Sequence, residues 1–424
     1  MTTYPSWSEH GSGYIYADEK ANRIVEAHIS RLRDSGGRLS AEVAILVNGA
    51  PVARSTPTLT SVSGVDQFWR KLNRRMPHDD HGIAWEAYIE ALAGRAIDAH
   101  RRGEPEVALA DVIIPDEIEW AVEPYFLAGQ ANVIYGEGSS GKSLLCTWMA
   151  VLCDTGHVDT THQITATQQR VLYLDYETDQ EEILRRIQWL QNGMGITSPT
   201  GIIYRRCTHP LAAETDRIRD IVIKHNIGMI IVDSLGLATG GGLDEAEAVL
   251  EYFNALRYIG RTSVTVTHTN KEGKIFGSVY TLNSGRSVWE VKRSSPVKGI
   301  MDLVTFHRKA NIIARSQPRA YQMVFGDNIV HIKTKGILET EVAPQDMSVS
   351  ELVYQLVETE GPTAKEMLPE LVANYKDAPV EKTRAAVTTA VSRHLRNGRL
   401  AEDGKRIVLP STNNEREANE WTTV

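Results

Sequence analysis

Cysteine is scarce in this 424-residue chain, which contains only Cys146, Cys153 and Cys207. Three thiols in so long a chain build no disulfide framework. None stands in a CxxC or in a His/Cys spacing that would hold zinc, so the expected compartment is a reducing cytoplasm. Also missing is any apolar run near the roughly 18 residues that cross a bilayer, and Met1 to His10 lack the basic and apolar stretches of a signal peptide. Secretion and membrane insertion are therefore not expected. There is no positive excess either: 46 Lys and Arg face 54 Asp and Glu, a net charge of -8. This excludes a protein that coats nucleic acid with its whole surface, and any DNA contact must be local. What is present is ordinary: 42% hydrophobic and 24% charged residues, values that exclude a disordered or low-complexity chain. At roughly 150 residues per domain, the length predicts two or three domains.

Pattern divides the chain into successive regions. Residues 1–118 read as a small α+β domain of unassigned role. They carry an alternating strand at Glu42 to Val47, a turn at Asn48-Gly49, and a helix from Ala84 to Arg101. That helix places Trp85, Tyr88, Ile89, Leu92, Ala96 and Ile97 on one face. From 119 to 336, short apolar runs alternate with helical patterns, as in a mostly parallel α/β sheet. The expected strands are Ala131 to Tyr135, Val171 to Asp175, Ile202 to Arg205, Met229 to Asp233, Ser263 to Thr267 and Leu303 to Phe306. Residues 337–346 read as a linker, 347–410 as three helices and a hairpin, and 411–424 as a disordered polar tail. No internal repeat is visible.

The sharpest motif is Gly136-Glu137-Gly138-Ser139-Ser140-Gly141-Lys142-Ser143, a match to GxxxxGK[ST]. It follows the apolar strand at 131–135 and opens an apolar helix at Leu144 to Leu152. That order aims backbone N–H groups and a helix N-terminus at a polyphosphate. The expected ligands are ATP and magnesium, with Lys142 reaching the β- and γ-phosphates and the Ser143 hydroxyl on the metal. Met229-Ile230-Ile231-Val232-Asp233 is an apolar run ending in a carboxylate, which makes Asp233 the second magnesium-site residue. Val171-Leu172-Tyr173-Leu174-Asp175-Tyr176-Glu177 ends in acids where a neighbouring strand should stop, and Glu177 is the candidate general base for water.

In this order of motifs, followed by Thr265-Val266-Thr267-His268-Thr269-Asn270-Lys271, the chain resembles the RecA-like ATPases. Within them it resembles the RepA-type hexameric replicative helicases, over residues 119–334. The resemblance implies a γ-phosphate sensor at His268 and a DNA-gripping channel loop carrying Lys271 and Lys274. It also implies a second loop at Thr239-Gly240-Gly241-Gly242, single-stranded DNA as partner, and a homo-oligomer, a hexamer. Finally it implies a cation donated between subunits, from Arg308 or Lys309 and secondarily from Arg286.

The last region resembles a winged helix. Ser350 to Val357, Ala364 to Ala373 and Thr383 to Arg396 are helix-periodic, and Asp403-Gly404 turns a hairpin wing. Its second half is basic, with Lys382, Arg384, Arg393, Arg396, Lys405 and Arg406 as candidate contacts to duplex DNA. Pro77-His78-Asp79-Asp80-His81 matches no metal-site spacing and reads as the turn before a helix. The whole is expected to be α/β: a RecA-like P-loop NTPase core with a mostly parallel sheet, an N-terminal α+β domain and a C-terminal winged helix. The expected activity is DNA-dependent ATP hydrolysis driving a helicase or translocase. A recombination ATPase and an ATP-switched DNA-binding regulator stay open beside it.

Overall fold

The computed structural model describes residues 4–10, 13–103, 106–243, 245–270, 273–276, 279–294 and 297–410. Lys271 and the expected tail at 411–424 lie outside them. The chain divides into two compact units, one formed by residues up to 118 with 213–227, the other by 119–212 with those from 228 onward.

The first unit is an antiparallel sheet in the order β1 (Ser6–His10), β2 (Gly13–Lys20), β3 (Arg23–Ser35), β4 (Arg38–Val47), β5 (Ala50–Ser55). The alternation read at Glu42 to Val47 extends along all of β4, burying Leu39, Ala41, Val43, Ile45 and Val47. These meet matching residues of β3 in register: Val25 opposite Val47, Ala27 opposite Ile45, Ile29 opposite Val43. Such cross-strand apolar pairs stabilise the sheet. Asn48 and Gly49 both take positive φ, 49° and 77°, as a tight two-residue hairpin demands. Helices α1 (Val62–Arg75) and α3 (Trp85–Arg102), with the single turn α2 (His78–His81) between them, complete this core. Of the expected apolar face of α3, all but the partly buried Ile97 are buried.

The second unit opens with β6 (Trp120–Glu123), β7 (Phe126–Leu127) and β8 (Ala131–Gly136), then α4 (Lys142–Thr155), β9 (Thr165–Ala166) and β10 (Arg170–Asp175). It continues through α5 (Gln180–Met194), β11 (Ile203–Arg206), α6 (Leu211–His225, mostly in the first unit) and β12 (Ile227–Asp233). After α7 (Leu235–Ala238) and α8 (Ala246–Ile259) come β13 (Thr262–His268), α9 (Val279–Ser284), β14 (Ser287–Arg293), β15 (Ile300–Ala310), β16 (Arg319–Gly326) and β17 (Ile329–Lys335). A nine-stranded sheet runs β11-β10-β12-β13-β8-β14-β15-β16-β17. The pairs β10–β11, β12–β13, β13–β8 and β8–β14 are parallel, and β14–β15, β15–β16 and β16–β17 antiparallel. All six expected strands are present. The sheet is broader than the strands read from sequence: β14, β16 and β17 were not expected, since Glu290 and Lys292 interrupt β14, and β16 and β17 bury only Ala320, Tyr321, Met323 and Val330 among more exposed residues. Helix α4 is buried on nearly every side, from Leu145 through Cys153, which accounts for its unbroken apolar sequence and fixes its N-terminus against the sheet.

The chain ends in α10 (Ala343–Asp346), α11 (Val349–Glu360), β18 (Thr363–Ala364), α12 (Leu368–Lys376), α13 (Val380–Arg396), β19 (Ala401–Asp403) and β20 (Arg406–Val408). Residues 337–346, read as a linker, are folded: Ile337 and Ala343 are buried in one core with Val304 and Phe306 of β15 and with Leu352, Leu356 and Val391. These helices therefore rest on the antiparallel part of the sheet. The helix expected from Ala364 begins only at Leu368, because Thr363 and Ala364 pair with Ile407 and Arg406 in a three-stranded β18-β20-β19 sheet. Ser348 and Glu351 form a reciprocal capping box that starts α11.

Candidate functional site

At the carboxyl ends of the parallel strands, the turn from Gly136 to Gly141 leads from β8 into α4. Gly136 lets β14 pass close by, since a Cβ there would stand 2.2 Å from the Val291 carbonyl oxygen. Gly141 sits at the helix N-cap with φ 89°, a left-handed backbone that favours glycine. The first N–H groups of α4 are thus left open toward a cleft of about 380 Å³. Its lining comprises residues 139–144 with Glu177, Arg186, Trp189, Asp233, Val266, His268, Phe325 and Val330. A second cavity, of about 440 Å³, lies beside Glu137 to Ser140 and is lined by Glu290, Lys292 and Arg293. It lacks Lys142, Ser143 and Asp233, so the phosphate chemistry belongs to the first.

Strand register brings the expected residues to one level. His268 pairs with Gly136 across β13 and β8, and Asp233 with Val266 across β12 and β13. The Lys142 ammonium donates to the carbonyls of Gly136 (3.0 Å) and Glu137 (2.6 Å) and lies 3.5 Å from His268 Nδ1. Burial lowers its pKa, against the raising influence of the Asp233 and Glu177 carboxylates. His268 Nε2 lies 3.4 Å from Glu177 Oε1. The His268 hydrogen bond is the main reason that the Glu177 pKa is held down at about 2; burial opposes it, and the Ser234 hydroxyl and the Lys142 charge reinforce it. Glu177 is therefore an ionised carboxylate aimed at the residue that would hold the terminal phosphate.

Asp233 is buried, and burial pushes its pKa up against the Ser143 and Tyr173 hydroxyls. Tyr173 donates to Oδ2 at 2.7 Å, while Oδ1 has no hydrogen-bond partner. A buried, unpartnered carboxylate oxygen beside a serine hydroxyl is a hard-oxygen donor set, and these residues fit magnesium. Among the described residues, no group of three or more His, Cys, Asp or Glu side chains forms another metal site, and His78 to His81 form only the single-turn α2. No helix among them is long and apolar enough to cross a membrane.

The expected intersubunit cations fare differently. Arg308 is bound to Glu290 by contacts of 2.7 Å from Nε and 2.6 Å from a terminal nitrogen. Lys309 donates at 2.9 Å to each of three carbonyls, those of Leu282, Asn283 and Gly285, which close the C-terminal end of α9. Within the subunit both are engaged: the three donors of Lys309 are all used, and Arg308 neutralises a buried acid. Arg286 is exposed at the start of β14, the end of the sheet away from the phosphate turn.

Lys274 is exposed in a turn tied back to β13, with Phe276 N donating to the His268 carbonyl at 2.8 Å. The chain at 239–242 follows α7, where the Thr239 hydroxyl donates to the Gly241 carbonyl at 3.2 Å. In the C-terminal helices Lys382, Arg384, Arg393 and Arg396 are exposed on α13, and Lys405 and Arg406 on the hairpin. At 3.6 residues per turn, Lys382, Arg393 and Arg396 share one side of α13, and Arg384 stands on the other.

Sequence reasoning missed Tyr173, Asp175, Arg186 and Ser234. Asp175 Oδ1 accepts from the backbone N–H of Glu177 (2.9 Å) and Thr178 (3.0 Å), and Oδ2 from the hydroxyls of Thr178 (2.8 Å) and Tyr204 (3.0 Å). An Asp three residues before a Thr at a strand end is a readable turn signal. Arg186 lines the cleft while paired with Glu182, which from sequence is only an i,i+4 surface pair.

The profile of the AAA domain family matches residues 102–274. Among solved structures, this chain is similar to a KaiC-like protein from the hyperthermophilic archaeon Pyrococcus horikoshii OT3, at 13% identity and a TM-score of 0.37. The alignment covers 51% of this chain and 99% of that one. No curated protein matches. With the phosphate turn, the buried Asp233 and the converging Lys142, Glu177 and His268, the chain carries a P-loop ATPase core.

Proposed function

We propose that this ATPase is a DNA-dependent motor of the RepA-like helicase or translocase kind, acting as a cytoplasmic homo-oligomer, a hexameric ring, in plasmid, phage or mobile-element replication. One observation carries the reading: Glu177 and Lys142 both meet His268, whose own carbonyl holds the loop that carries Lys274. A change at the γ-phosphate is thereby linked through one residue to an exposed basic loop. Lys142 and the α4 N-terminus bind the phosphates of ATP, and Ser143 and Asp233 would hold magnesium, which neutralises phosphate charge when bound. Glu177 activates water as general base for in-line attack on the γ-phosphorus. His268 distinguishes ATP from ADP and moves the loop.

Single-stranded DNA would lie against the loops that follow β12 and β13, with Lys271 and Lys274 on its phosphates. Arg308 and Lys309, with Arg286, exposed at the far end of β14, as the second choice, are the candidates for a cation supplied to the neighbouring subunit. The exposed side of α13 with the hairpin supports a winged-helix contact to duplex DNA through Lys382, Arg393, Arg396, Lys405 and Arg406, with Arg384 outside that stripe. That same stripe supports the second reading, an ATP-switched DNA-binding regulator.

The deciding measurement is ATP turnover against increasing single-stranded DNA, with Lys142→Ala as the blank. Strong stimulation, absent in the variant, is the expected result. Robust turnover indifferent to single strands would discard the motor in favour of the regulator.

A further inference from the structure

Ser234 directly follows β12 and occupies the N-cap of α7. A serine at that position ordinarily turns its hydroxyl to accept from an N–H of the helix's first turn. This one makes no such bond. It is buried, and its hydroxyl instead donates to Oε1 of Glu177, 57 residues earlier in the chain. The helix forgoes its cap while the hydroxyl is spent on the carboxylate, so helix capping does not explain the residue.

The rest of the Glu177 turn is already fixed without Ser234. Asp175 holds the backbone N–H groups of residues 177 and 178, and Tyr176 N donates to the Asp233 carbonyl at 2.7 Å. These bonds locate the Glu177 backbone but leave its side-chain torsions free. The other side-chain contact, His268 Nε2 at 3.4 Å, falls on the same Oε1 and is long. Oε2 accepts no hydrogen bond among the described residues.

We propose that Ser234 is a positioning residue for hydrolysis, one that pins Oε1 so that Oε2 is presented to the attacking water. The inference rests on the reading of Glu177 as the base. In the step it serves, the water oxygen bonds to the γ-phosphorus, its proton passes to Glu177 Oε2, and the bond from the γ-phosphorus to the bridging oxygen breaks. ADP leaves with that electron pair, and the proton is then returned to the phosphate product.

The test compares Ser234→Ala, Ser234→Thr and Glu177→Gln by kcat and KM for ATP, by affinity for a fluorescent ADP, and by thermal melting. Ser234→Ala should lose about 10- to 100-fold in kcat, the scale of a displaced catalytic group, with KM, ADP affinity and melting unchanged. Ser234→Thr, which keeps a hydroxyl, should recover most of the loss. In the Glu177→Gln background Ser234→Ala should cost nothing further. Wild-type turnover in Ser234→Ala with Glu177→Gln inert would overturn the inference and leave the role of Glu177 standing. Wild-type turnover in Glu177→Gln would remove the reading beneath it. A loss in Ser234→Ala that is matched in ADP affinity or melting, or that adds fully to Glu177→Gln, would make Ser234 structural and overturn the proposal.

Discussion

The two ends of the central sheet treat their charged groups in opposite ways. At the phosphate end, polar atoms are held but not used up: Asp233 is fixed through Oδ2 with Oδ1 unpartnered, and the Ser140 hydroxyl has no partner. Along β15 and at the far end of the sheet, donors are saturated: Lys309 closes α9 and Arg308 is consumed by Glu290. Both ends contain basic residues beside carboxylates or carbonyls. The first leaves the Asp233 Oδ1 and Ser140 hydroxyl open to a ligand, although the Lys142 ammonium there is itself engaged by two carbonyls and His268.

The sharpest way to break this contrast is to substitute on each side of it. At the open end, Glu177→Gln should cut turnover by about 10²- to 10⁴-fold while nucleotide affinity is kept, since it removes a base but no phosphate contact. Single-turnover hydrolysis together with fluorescent-nucleotide binding checks this, and near-normal turnover would remove Glu177 from the role. On the saturated side, Arg308→Met should act on stability. It leaves Glu290, whose side chain is 6% exposed, without its main partner, at a cost on the order of 3 kcal/mol. Adding Glu290→Gln should restore most of that in urea unfolding. A folded Arg308→Met protein of wild-type stability that loses turnover only where it assembles would assign the finger to it.

His307, on the same strand, sharpens the comparison through pH. It is 3% exposed, stacks on Trp289 at 4.3 Å, and accepts from Ser316 N through Nδ1 at 3.0 Å. Burial lowers its pKa to about 4. The unfolded chain takes up this proton near 6.5 and the folded chain only near 4, so stability falls as pH drops through that window. The loss should be on the order of 2 kcal/mol by pH 4.5, and His307→Gln should flatten that part of the profile. Equal pH dependence in the two proteins would assign it to other groups.

The same contrast governs what the sequence discloses. Lys142 and Ser143 were legible because their motif joins an apolar strand to an apolar helix, and Asp233 and Glu177 because each closes or closely follows an apolar strand. The parallel strands β8, β10, β12 and β13 were legible because nearly all their residues are buried, whereas the parallel β14 was not, because Ser287, Glu290 and Lys292 break its apolar run. Tyr173, Ser234 and Arg308 were not, because their partners come from other strands. Tyr173 and Asp233 are 60 residues apart, and only the sheet order joins them. For Arg308 and Lys309 the bonds to Glu290 and to the α9 carbonyls were not legible, because those partners lie 18 to 27 residues away in the chain. Residues 337–346 read as linker because their few apolar side chains show no period of their own and are buried only against β15 and the C-terminal helices.

Lys309 gives the smallest effect and the finest test. Its ammonium replaces water at three carbonyls of the α9 C-terminus, where a cation also opposes the negative end of the helix. Those carbonyls are partly reachable by water once the lysine is gone, so Lys309→Met should cost only about 1 kcal/mol. Arg286 lies close enough to lower the Lys309 pKa further after burial has done so. Removing that second positive charge by Arg286→Gln should therefore stabilise the cap slightly while testing an exposed cation as the one supplied to a neighbour. If Arg286→Gln keeps its melting temperature and loses DNA-stimulated turnover, the far end of the sheet has a working residue after all. If Lys309→Met does so instead, its three carbonyl bonds are not its purpose.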